Sequence, residues 1–162
     1  MLHLVEGPNG VGKTTFARLL ARRLGIPYVE DLAKVRLRLD SEETRIGGYV
    51  AHASLLEQLA PRVDLVADRG WVSTLVFAKL FERPIPAFLA NPAARAKQLE
   101  EVEQIYRVTS SLETARNRIE RRGEVIEYGR LNAEFLAFDE VFAWVGGVVD
   151  VVYVNGEEGF RR

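Results

Sequence analysis

Residues 6–15 read Glu-Gly-Pro-Asn-Gly-Val-Gly-Lys-Thr-Thr, and Gly7 to Thr14 match G-x-x-x-x-G-K-[ST] at every fixed position. The apolar run Leu2–Val5 precedes this stretch and an amphipathic pattern follows it, which is the strand, glycine loop, helix context of a phosphate-binding loop. Gly7, Gly10 and Gly12 let the backbone turn its N–H groups toward phosphate oxygens. Pro8, Asn9 and Val11 complete the loop, Lys13 is placed to reach the β- and γ-phosphates, and the Thr14 hydroxyl to ligate Mg²⁺. The helix that starts there offers unpaired N–H groups and a positive dipole end to the same anion. The alternative is a glycine-rich turn with no ligand.

A chain of 162 residues with 48% apolar residues has the size of one domain with a full core. The expectation is a single domain over residues 1–162. A formal net charge of −1 gives no global field for nucleic acid or an anionic membrane, although the 22 basic residues are unevenly placed. With no cysteine, disulfides and thiolate metal sites are excluded. The loop begins at residue 7 and no apolar run reaches roughly 20 residues, so a cytoplasmic protein without signal peptide or membrane span is expected. Self-association as a homodimer stays open.

Working outward from the loop, Thr14–Leu24 reads as a helix with Phe16, Leu19, Leu20 and Leu24 on one face and Gly25 as its cap. Ile26–Val29 reads as a second strand delivering Glu30 and Asp31 to its C-terminal end, where open α/β sheets bind ligands. Those acids are either site residues or a solvated turn with Asp31 as a helix cap. The segment Leu32–Arg45 is read as helix, although Val35, Leu37 and Leu39 alternate with basic residues. Asp40 and Glu43 give a weak capping signal, Gly47-Gly48 a break, and Tyr49–Leu59 a helix carrying the unpaired His52. Val63–Asp68 is a strand ending in an acid, Ser73–Phe81 a helix, and Pro92 suits the first turn of another over Ala93–Glu101. Glu103–Val108 is a strand, Leu112–Arg122 an arginine-rich helix closed by Gly123, Ala133–Val145 an amphipathic helix and Val148–Val154 the last strand. Strands alternating with helices in this way predict a three-layer α/β fold of the P-loop NTPase type, a parallel sheet of about five strands with helices on both faces.

Three groups supply the chemistry. Asp68 ends its strand where an acid would hold Mg²⁺ or its waters beside Thr14, and Arg69 follows it toward the same site, with turn and surface roles as the alternatives. Arg118 and Arg122 are four residues apart on one helix face, suited to stabilise charge spread over a transferring phosphoryl group. Glu113, Glu120 and Glu124 interleave with them, so plain ion pairing is the competing reading.

The segment at 6–15 resembles the phosphate loop of thymidylate kinases, and Asp68-Arg69-Gly70-Trp71-Val72-Ser73 resembles their D-R-x-x-x-S segment. Read on to Ala78, the latter also resembles the E-R-S segment of deoxynucleoside kinases. Residues 105–124 are similar to the strand and lid-helix signature of both groups. The resemblance implies ATP and Mg²⁺ bound by Lys13, Thr14 and Thr15, with Asp68 as the acid near metal and acceptor. It implies Arg69 on the acceptor side, Arg118 and Arg122 in a lid over about 112–130, and Glu30 as base toward a nucleoside 5′-hydroxyl. This chain lacks the R-E-P-G segment of thymidylate kinases and has Asp68 where deoxynucleoside kinases carry Glu. Tyr49, Trp71 and Phe77 are candidates for stacking on an acceptor base, or for core packing.

The sequence therefore predicts an ATP-dependent kinase for a small nucleotide or nucleoside, with a nucleoside monophosphate acceptor favoured. Alternatives are a deoxynucleoside kinase, a P-loop kinase of another small metabolite, and a P-loop NTPase switch that hydrolyses nucleotide without an acceptor.

Overall fold

The computed structural model describes residues 1–34, 42–100 and 103–157. Strands β1 (Leu2–Glu6), β2 (Tyr28–Val29), β3 (Leu65–Asp68), β4 (Glu103–Thr109) and β5 (Val151–Asn155) form one sheet in the order β2-β3-β1-β4-β5. All four pairings are parallel. Helices α1 (Lys13–Leu24), α2 (Glu42–Leu59), α3 (Trp71–Leu80), α4 (Pro92–Leu99), α5 (Leu112–Arg121) and α6 (Tyr128–Val145) make the crossovers.

Side-chain alternation along the strands divides the core between the two faces. Leu2, Leu4, Leu65, Ala67 and Ile105 bury against α2, α3, α4 and α6. Val5, Val66 and Val108 bury against Ala17 and Ala21 of α1 and Ala115 and Ile119 of α5. Because β1 is central, the loop after it emerges at the C-terminal edge between β3 and β4, and Asp68 ends the strand beside it in register with Val5.

The predicted architecture is the one found, with several local corrections. No break occurs at Gly47-Gly48. Both lie inside α2 without positive φ, since glycine in a helix costs only about 1 kcal/mol and a break needs a lost ladder or a left-handed residue. The predicted helix over Leu32–Arg45 begins as a 3-10 turn, Leu32–Lys34, and ends within α2; residues 35–41 of it lie outside the described residues. The Asp40–Glu43 capping signal lies outside the described residues. Helix α6 starts five residues before the predicted Ala133 because Leu131 is fully buried on the α1/α5 face. Strand β5 starts late because the Val148 and Val149 N–H groups donate to Val145 O, closing the helix first.

Trp71 is not available to stack on a ligand. It is 1% exposed in the core, and its indole N–H donates to Glu103 Oε2 at 3.0 Å. Burial, the leading cause, pushes the Glu103 carboxyl up to about 8; the Trp71 hydrogen bond opposes this and the Glu57 charge adds to it. An acid whose folded pKa exceeds its unfolded value stabilises the fold fully below the unfolded value of 4.5, and loses that contribution as pH rises toward 8. Glu103→Gln is therefore expected to raise the melting temperature by several degrees at pH 8 and to change it little at pH 4.5. The same effect at both pH values would show that the charge plays no part.

Candidate active site

The glycines of the loop are fixed by space as well as by φ. Gly7 (φ 143) and Gly10 (φ 81) lie so close to strand and helix that an added Cβ would stand 2.3 Å from Val108 O and 2.4 Å from Ala115 O. Lys13 folds back over the loop, donating from Nζ to Pro8 O at 2.6 Å, and is 7% exposed. Burial, followed by the Arg69 charge, pulls its ammonium down to about 7 against the attraction of Asp68, Glu134 and Asp31. A buried lysine held this way gains most from a phosphate anion, which would restore its charge. Val11 is fully buried, so it contributes backbone only.

Thr14 Oγ1 donates to Asp68 Oδ2 at 2.5 Å. Asp68 is fully buried, and its Oδ1 has no hydrogen-bond partner among the described residues. Burial tends to raise the Asp68 pKa, but the hydrogen bonds from Thr14 and Lys34, with the charges of Lys13 and Lys34, hold it below the usual carboxylate value. A hydroxyl and a carboxylate at hydrogen-bond distance, one carboxylate oxygen without a donor, fit a hard cation such as Mg²⁺. No group of three His, Cys, Asp or Glu side chains forms among the described residues. Phosphate oxygens and water would complete the shell of a metal held by Thr14 and Asp68.

Around the loop runs a groove of about 380 Å³ lined by Gly10, Gly12, Lys13, Thr14, Thr15, Arg118, Arg121 and Arg122. Arg118 does not reach across it. Its Nη1 donates to Val11 O at 3.1 Å and its Nη2 to Gly156 O at 2.6 Å, tying α5 and the end of β5 to the loop backbone. Arg122 pairs with Glu124 at 3.1 Å, and Arg121, adjacent to it on the cationic edge of the helix, lines the groove beside it. Arg118→Lys is expected to lower turnover about tenfold, since an ammonium cannot bridge both carbonyls, with little change in melting temperature. Wild-type turnover would show that this bridge does not set the loop.

A second cavity, of about 250 Å³, opens between α2 and α3 and shares Asn9, Asp31 and Arg69 with the groove. Arg69 is the hinge between them. Its φ of 76 is unusual for a side-chain-bearing residue, and its guanidinium donors offset the strain. Nε donates to Asp31 Oδ2 at 3.1 Å, Nη1 to Ser73 Oγ at 2.9 Å and Gly7 O at 3.2 Å, and Nη2 to Asn9 Oδ1 at 2.8 Å. Its plane lies 5.0 Å over Phe77. Phe77, Tyr49 and His52 line the cavity, the last with its pKa lowered by burial against the Asp31 charge.

Glu30 and Asp31 separate sharply. Glu30, the expected base, turns away to Arg18 of α1 at 3.0 Å and lines neither cavity. Asp31 is buried rather than in a solvated turn and lies where the two cavities meet; it also accepts from Ala33 N–H at 2.9 Å, capping the turn that follows. Adjacent residues leaving a strand point opposite ways, and the one facing inward is the second.

Two buried acids went unread in the sequence. Glu134 of α6 accepts from the Asn9 N–H at 2.6 Å and from Asn9 Nδ2 at 3.0 Å, pinning the apex of the loop. Its signal was its place on the buried stripe, three residues after Leu131 and four before Phe138. Glu6 accepts from Gly70 N–H at 2.8 Å and from Ser73 Oγ, anchoring the start of α3; burial raises its pKa. No pattern marked Glu6, which ends an apolar strand.

Comparison with known proteins agrees with this geometry. The ATPase family associated with various cellular activities (AAA) matches residues 3–66. A cytidylate kinase of Nitratidesulfovibrio vulgaris is 40% identical over 74 residues, 44% of this chain, so the chain covers 30% of that relative's length. Among solved structures, the YorR protein of Bacillus subtilis in complex with phosphorylated GDP superimposes with a TM-score of 0.71 at 20% identity, over 96% of this chain and 86% of that one. Deoxyadenosine kinase of M. mycoides with bound dATP also gives 0.71, at 16% identity over 96% and 91% of the two chains. At such identities the structures establish the P-loop kinase fold.

Proposed function

We propose that the protein is an ATP-dependent phosphotransferase that moves the γ-phosphate to a nucleoside or nucleotide acceptor. The observation that carries this reading is the meeting of the phosphate groove and the α2/α3 cavity at Asn9, Asp31 and Arg69. A nucleotide hydrolase needs only the first of these spaces. In the proposed reaction the loop and Lys13 hold the donor phosphates, Arg118 holds the loop backbone, and Arg121 and Arg122, which line the groove, stabilise charge on the transferring group. Mg²⁺, when bound, neutralises phosphate charge. Asp31, held by Arg69, orients the acceptor oxygen at the junction, with Glu134 holding Asn9 in place.

Within that class the geometry favours a hydroxyl acceptor. A hydroxyl must lose a proton, and Asp31 supplies a carboxylate at the junction. Every guanidinium nitrogen of Arg69 is already engaged by protein acceptors, which leaves it little capacity to clamp an acceptor phosphate. The similarity to a deoxyadenosine kinase structure supports this nucleoside reading. The nucleoside monophosphate reading draws on the sequence similarity to a cytidylate kinase. The products formed from Mg–ATP with separate pools of nucleosides and of nucleoside monophosphates, identified by mass, distinguish the two. A monophosphate product from a nucleoside is expected. Diphosphate products alone would overturn the hydroxyl reading in favour of the second, and no product from either pool would remove nucleic-acid precursors as the acceptor class.

A further inference from the structure

Lys34, Thr14 and Asp68 meet at one point beside the phosphate loop. Lys34 Nζ donates to Asp68 Oδ2 at 2.9 Å and also touches Thr14 Oγ1, while Thr14 donates to the same carboxylate oxygen. The two protein oxygens suited to a divalent metal are thus bridged by an ammonium. Lys34 belongs to the short turn after β2, held by its own N–H to Asp31 O at 2.9 Å. Its side chain is 41% exposed whereas that of Asp68 is wholly buried, so the lysine can swing away and the aspartate cannot.

We infer that Lys34 is an internal counter-ion occupying the divalent-metal position, and that metal–nucleotide must displace it. An exposed ion pair contributes little, but this ammonium neutralises a buried carboxylate whose other donors among the described residues are the Thr14 hydroxyl and the Tyr28 O–H at 3.4 Å. A divalent cation and an ammonium cannot both sit against this one carboxylate and the Thr14 hydroxyl, since like charges about 4 Å apart repel strongly even where partly solvated. Displacement leaves Lys34 on the wall of the phosphate groove, which it lines, where its charge faces the incoming anion. Binding then exchanges one cation for another around Asp68, and the carboxylate is never left uncompensated. The inference rests on the assignment of Thr14 and Asp68 to the metal.

Mn²⁺ binding to the nucleotide-free protein at pH 8, followed by the EPR signal of free Mn²⁺, tests it without turnover; ATP binding in EDTA is measured in parallel. Lys34→Met is expected to bind Mn²⁺ about tenfold more tightly, because the competing charge is gone, and ATP in EDTA several-fold more weakly. Lys34→Arg stays near wild type in both. Opposite signs separate this from misfolding, which weakens both. If Asp68→Asn abolishes Mn²⁺ binding but Lys34→Met leaves it unchanged or weaker, the counter-ion role is overturned. Mn²⁺ binding that survives Asp68→Asn overturns the metal assignment beneath it.

Discussion

Lys13→Ala is expected to lower kcat/KM for ATP by about 10³-fold, equivalent to about 4 kcal/mol of transition-state stabilisation, while the fold stays intact. The size follows from where the side chain sits. Lys13 is buried under its own loop and donates to Pro8 O, and its ammonium is destabilised by burial and by Arg69. A phosphoryl group would remove that destabilisation, and the gain grows as charge develops in transfer. Removing the side chain also removes a costly buried charge, so the variant should melt no lower than wild type in the absence of nucleotide. Circular dichroism melts and steady-state kinetics check the two halves together. Near-normal turnover in a folded variant would contradict the role of the loop.

The second large effect is expected from Asp31. Asp31→Asn keeps the shape but only one acceptor oxygen, enough for either Ala33 N–H or Arg69 Nε, which bond different oxygens of the aspartate; it removes the basic carboxylate, and should lower kcat by about 10²–10³-fold with little change in KM for ATP. Glu30→Gln should cost at least tenfold less, since that side chain pairs with Arg18 outside both cavities. Because Arg69 is nearly buried, loss of its ion partner destabilises the fold somewhat; a melt alongside the kinetics separates that from the chemical step. The reverse order, Glu30 large and Asp31 small, would restore the residue that the sequence alone points to.

That reversal marks the boundary of what the sequence discloses. The loop, Asp68 and the alternation of strands with helices were readable because each rests on local chemistry: glycines that need positive φ, an acid at a strand end, and the change of period from two to 3.6. What escaped depends on contacts distant in the chain. Whether Glu30 or Asp31 enters the site depends on the orientation of a two-residue strand against β3. The resemblance implies Arg118 as a lid residue, whereas the close approach of α5 to Gly10 directs its guanidinium to loop carbonyls. Trp71 was open to ligand stacking or to core packing on sequence alone. One step into a helix whose face meets β4, it is core instead. Glu134 could have been found, since an acid on an apolar helical stripe needs a buried partner.

The central claim, that one cleft joins a nucleotide groove to an acceptor cavity, is tested most directly by ADP formation from Mg–ATP with and without an acceptor. ADP should appear at a rate that rises from near zero and saturates with added nucleoside or nucleoside monophosphate, one phosphorylated product per ADP. ADP released equally fast with no acceptor would contradict the claim, reducing the α2/α3 cavity to packing and the protein to a nucleotide hydrolase.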